Sequence, residues 1–179
     1  MRHLPAALLA CLCVSGAALA APKAEPKVTP TAAPPALAQL VTGFADFKTL
    51  HASAAELDAA FSPHCGKQRA MDDDQGVFFE FACKPESGMK SAMVTLRRLP
   101  GKAPFLMTLS VVFSNDYYPQ FRKSLQDKLG KPKLVTADRA MWVYHGDKKL
   151  NQNGTPAIMI TRDRDEKLTS FDVAIEQGP

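Results

Sequence analysis

An α+β fold made of two tandem helix-plus-antiparallel-sheet units is the architecture this sequence predicts. Three observations predict it. Phe105, Met107, Leu109, Val111 and Phe113 form a strict period-two apolar face, the pattern of a strand buried on one side. Two stretches carry helix signals: a capping box at Ser53 and Glu56, and an i, i+4, i+8 stripe of Phe121, Leu125 and Leu129. The order helix, proline- and glycine-containing break, aromatic strand, hairpin then occurs twice.

The elements follow in chain order. Residues 1–20 read as a secretory signal peptide: a basic Met1-Arg2-His3 start, an apolar run from Leu4 to Leu19, and the A-x-A cleavage pattern Ala18-Leu19-Ala20. A periplasmic or secreted location is expected. Leu8-Leu9-Ala10-Cys11 resembles a bacterial lipobox, so lipid anchoring at Cys11 is the alternative. The short apolar stretch before it favours cleavage at Ala20. Residues 21–36 hold Pro22, Pro26, Pro30, Pro34 and Pro35 among Ala, Lys and Thr. That composition predicts a disordered, Pro/Ala-rich linker.

The first unit spans 37–113. Leu37, Leu40, Val41 and Phe44 suggest a short helix, and an extended piece is expected before Leu50. The capping box opens a helix in which Leu57, Ala60 and Phe61 share a face, and Ser62-Pro63 ends it. Val77, Phe79, Phe81 and Cys83 alternate with Phe78, Glu80 and Ala82, and Val94 and Leu96 alternate with Thr95 and Arg97. Pro100-Gly101-Lys102-Ala103 is a hairpin turn.

The second unit spans 114–179. Ser114, Asn115 and Asp116 offer N-cap groups, Pro119 suits a first turn, and Gly130 and Pro132 end the helix. Ala140 to Tyr144 is an aromatic strand. Ile158 and Ile160, then Phe171, Val173 and Ile175, form a hairpin about the charged turn Arg164 to Lys167. Each unit is expected to lay one helix on a sheet of three or four strands, with the other sheet face partly open.

An exported chain with this element order resembles the β-lactamase-inhibitor-protein superfamily, which includes the small lipoprotein of the outer-membrane β-barrel assembly machinery. It is also similar to many uncharacterised bacterial periplasmic proteins. The likeness covers roughly residues 41 to 178 and rests on element order. It implies a non-catalytic binding protein, and it transfers no binding residue position by position.

Charge and chemistry narrow the function. A net charge of +4 is too mild to predict a nucleic-acid partner. After the signal, no apolar run has the length of a membrane span. Cys11 and Cys13 leave with the signal, so Cys65 and Cys83 are expected to form a disulfide between the helix exit and a strand. No cofactor or metal motif occurs. Asp72-Asp73-Asp74-Gln75-Gly76 lacks the alternating ligands of a calcium loop and reads as a solvated turn. The histidines His51, His64 and His145 fall in no catalytic motif. A hydrolase would have to assemble His64 with Asp72 to Asp74 and remote residues.

The expected function is an exported binding or inhibitory protein that engages an envelope protein. Asp72, Asp73, Asp74, Tyr117, Tyr118 and Trp142 are the candidate contacts, although packing is the commoner role for such a tryptophan. A small-ligand or cell-wall-polymer binder is the alternative.

Overall fold

A computed structural model describes residues 32–46, 52–101, 104–144 and 154–176. The expected signal peptide, the extended piece before Leu50 and most of the 146–155 loop lie outside these residues. Among the described residues no helix is long and apolar enough to cross a membrane.

Helix α1 (Pro35–Phe44) starts two residues inside the expected linker. Proline suits the first helical position because that N–H has no intrahelical partner. Leu37, Val41 and Phe44 form the buried stripe. Helix α2 (Ala54–Phe61) has the complete capping box. Ser53 Oγ accepts from the Glu56 N–H at 3.3 Å, and Glu56 Oε2 accepts from the Ser53 N–H at 2.7 Å. Its buried residues are Leu57 and Phe61, and it stops before Pro63 as expected.

Eight strands follow: β1 (Cys65–Asp73), β2 (Gly76–Cys83), β3 (Met89–Arg97), β4 (Phe105–Phe113), β5 (Leu134–Val135), β6 (Arg139–Val143), β7 (Thr155–Asp163) and β8 (Leu168–Glu176). Helix α3 (Tyr118–Leu129) lies between β4 and β5. All strand pairs are antiparallel, and one sheet runs in the order β1-β2-β3-β4-β8-β7-β6-β5. The sequence suggested two adjoining sheets. The β4–β8 pairing, Thr108–Phe113 against Thr169–Ala174, instead joins all eight strands.

The helices cover one face of this sheet. Phe61 of α2 stacks on Phe44 of α1 at 5.4 Å between ring centroids and meets Phe81 of β2 at 5.3 Å. Phe121 of α3 meets Phe113 of β4 edge-on at 4.8 Å. Leu109, Val111, Ile158, Ile160, Phe171 and Val173 are buried beneath them. Lys128 of α3 donates to the Thr42 carbonyl of α1, which ties the two helices.

Four details depart from the sequence reading. β1 carries no apolar alternation and was not foreseen: Cys65 is buried and its other residues are exposed, as an edge strand permits. A register shift between Thr95 and Leu96 turns the start of β4, so Leu106 is buried and Met107 only partly so. The cap of α3 is Tyr117, with no side-chain cap bond. Asn115 and Asp116 are used elsewhere: Asn115 Nδ2 donates to the Tyr117 hydroxyl at 3.0 Å, and Asp116 accepts from Arg162. The Cys65–Cys83 disulfide forms, but it bridges directly paired residues of β1 and β2 and does not tie a strand back to a helix.

Candidate functional site: the open sheet face

Alternation sends every second strand residue away from the helices. Strand register lines these residues up in rows. One row crosses the whole sheet: Arg69, Glu80, Met93, Ser110, Asp172, Met159, Met141 and Leu134, one residue per strand in spatial order. A second row runs beside it through Met71, Phe78, Thr95, Thr108, Ala174, Ala157 and Val143. No described helix packs on this face.

The surface mixes apolar side chains with Arg69, Glu80, Ser110, Asp172, Thr95 and Thr108. Met71, Met93 and Leu134 keep 42%, 44% and 40% of their surface exposed. Met141 and Met159 are half-buried. Thioether side chains are flexible and polarisable, so they can repack. Arg69 rests its guanidinium over the Phe78 ring at 5.8 Å and closes the β1 end of the patch.

One carboxylate stands in the middle of this face. Asp172 is on β8, beside its partner Ser110 on β4. Ser110 Oγ donates to Asp172 Oδ1 at 2.6 Å, and Ser170 Oγ donates to Oδ2 at 3.3 Å. Burial pushes the Asp172 carboxyl above its ordinary value, against the pull of both serine hydrogen bonds and the charge of Arg139.

The residues singled out in the sequence are distributed otherwise. Asp72 and Asp73 end β1, and Asp74 begins the turn to β2. Arg98 reaches them, bonding Asp72 Oδ1 at 2.8 Å and also the Asp73 carbonyl. Asp73 Oδ1 accepts from the Gln75 and Gly76 N–H groups and shapes the turn. Tyr117, Tyr118 and Trp142 are only 2%, 3% and 3% exposed. They are packing residues and offer no free ring to a partner. Trp142 Nε1–H donates to the Gly130 carbonyl at 2.9 Å, fastening β6 to the end of α3.

The hydrolase constellation does not come together. His64 precedes β1 and Asp72 to Asp74 follow near its far end, about 25 Å away along an extended strand. Among the described residues no group of three or more His, Cys, Asp or Glu is placed to hold a metal ion. A shallow cleft of about 560 Å³ opens beside α3, lined by Tyr118, Arg122, Lys123, Asp127 and Arg162. Its charges are mixed, and Arg162 is already paired with Asp116.

The open-face residues were missed because outward Met, Ser and Asp look like ordinary solvent-facing positions. Only the register of strands distant in sequence brings them into one row. Comparison with known protein families, curated proteins and solved structures finds no match.

Proposed function

We propose that this is an exported, non-catalytic binding or inhibitory protein that engages another envelope protein through its open sheet face and the adjoining loops. The observation that carries this reading is the methionine-rich row crossing all eight strands on the face without helices. Large apolar side chains left exposed on this face, Met71, Met93 and Leu134, support an interaction role. The Cys65–Cys83 disulfide suits the oxidising compartment to which the signal-like start points.

We read the body as two units, 37–113 and 114–179. In support, each unit ends on the strand that meets its counterpart at the sheet centre, β4 against β8, and runs outward to its own edge. With it we propose the likeness to the β-lactamase-inhibitor-protein superfamily, which rests on element order alone.

The test compares folded wild type with Met93→Asp as baits in an envelope extract. Wild type should retain a specific protein that the variant loses. Equal capture by both, or none by wild type, would count against the reading. The cleft beside α3 favours a second reading, a small anionic ligand or wall polymer held by Arg122 and Lys123. Saturable thermal stabilisation by such a ligand, lost in Arg122→Ala, would support it.

A further inference from the structure

The Asp172 carboxylate has an environment unlike any other acidic group on the open face. Its row neighbours are Ser110 and then Met93 on one side, Met159 and then Met141 on the other. Two serine hydroxyls are its hydrogen-bond donors. Among the described residues no Lys or Arg nitrogen lies within 4.0 Å of it, and the charge of Arg139, exposed on β6, acts on it from beyond that distance. Glu80, the other acid in the row, is exposed near the edge and directly opposite Arg69.

Covering this face would remove water from a carboxylate whose two oxygens each accept a single hydroxyl bond, leaving further acceptor capacity on both. An apolar partner would therefore be penalised at the centre of its own contact. A second copy laid face to face about the sheet centre would set two Asp172 carboxylates against each other, a like-charge pair. A cation relieves both problems. An ammonium or guanidinium supplies the missing donors as charge-assisted hydrogen bonds, while apolar neighbours in the same segment cover the methionines.

We propose that the open face takes a polypeptide segment carrying one Lys or Arg between apolar side chains, with the basic group seated on Asp172 and its flanks on Met93 and Met159. This rests on the sheet-face reading and adds the chemistry of the partner. Ser110 and Ser170 act as positioning residues, holding the carboxylate toward the incoming cation.

Random peptides displayed on phage, selected against the full-length oxidised protein, supply the probe. The enriched peptides are synthesised, and their Kd is measured by fluorescence anisotropy with wild type, Asp172→Asn and Met93→Asp. The asparagine variant keeps the shape and an acceptor for Ser110, so its fold is retained, and circular dichroism checks this. The expected result is enrichment of Lys or Arg flanked by apolar residues. Affinity should fall tenfold or more in Asp172→Asn, and by the same factor when the peptide's basic residue becomes Met. Peptides weakened by Met93→Asp but indifferent to Asp172→Asn would overturn the carboxylate anchor and leave the sheet-face reading standing. Peptides indifferent to both substitutions, or no enrichment over a blank, would overturn both.

Discussion

Ser110 and Asp172 face each other across the central β4–β8 pairing, with Ser110 Oγ donating to Asp172 Oδ1 at 2.6 Å. Despite that bond, burial dominates and raises the Asp172 carboxyl above its usual range. The folded chain therefore binds this proton more tightly than the unfolded chain does. Its contribution to stability is greatest below the ordinary aspartate value of about 3.9 and is lost as pH rises through the raised folded value. At pH 7 Asp172→Asn should stabilise the fold by ~0.5–2 kcal/mol, and the advantage should vanish at pH 4 and below. Paired Tm measurements from pH 3.5 to 7 check this. An asparagine variant that is no more stable at pH 7 would refute it.

Thr169 is fully buried, and its Oγ1 accepts from the Tyr117 N–H at 2.8 Å. That bond fixes the entry to α3 against β8. Thr169→Val keeps the shape and orphans a buried N–H, so it should cost ~1–3 kcal/mol. Urea unfolding should show a lower midpoint with an unchanged slope. Thr169→Ser should recover part of the loss.

The disulfide staples an edge strand that buries little else. β1 buries Cys65, while Lys67 adds an ion pair to Asp58 at 2.9 Å and rests over the Phe79 ring at 4.5 Å. Cys65→Ala with Cys83→Ala should cost ~3 kcal/mol in the chain-entropy picture. Hydrogen exchange should accelerate first in residues 65–73 and leave β4 and β8 protected. Uniform loss of protection across the sheet would contradict a local staple.

Trp142 is the chain's one tryptophan, so its fluorescence reports a single place. Buried, with its indole N–H bonded to the Gly130 carbonyl, it should emit at short wavelength and shift red on unfolding. Trp142→Phe removes the bond and should cost ~0.5–1.5 kcal/mol. Emission already red-shifted in the native protein would show the site to be wet.

Elements that bury one face were legible in the sequence. The Ser53–Glu56 box, the Phe121 and Leu125 stripe, and the alternation in β2, β4, β7 and β8 each announce which side faces the core. β1 was illegible because its residues after Cys65 are exposed, and β5 because it has two residues. The single sheet was illegible because the β4–β8 pairing joins residues far apart in sequence, Ser110 and Asp172 being 62 residues apart. The candidate site was illegible for the same reason, since Met93, Ser110, Asp172 and Met159 are neighbours through register alone. Tyr117 and Tyr118 illustrate the converse: large amphipathic residues at a helix start that suggest contact in the sequence but pack inward.

On the proposed reading, the open face, and not the helical face, makes the contact with an envelope protein. A photo-crosslinking side chain placed at Met93, with a control at Lys123 on exposed α3 surface, tests it in an envelope extract. A discrete adduct from position 93, absent from position 123 and suppressed by excess unlabelled wild type, is the predicted result. Adducts from position 123 alone, with position 93 unreactive in the folded protein, would contradict it.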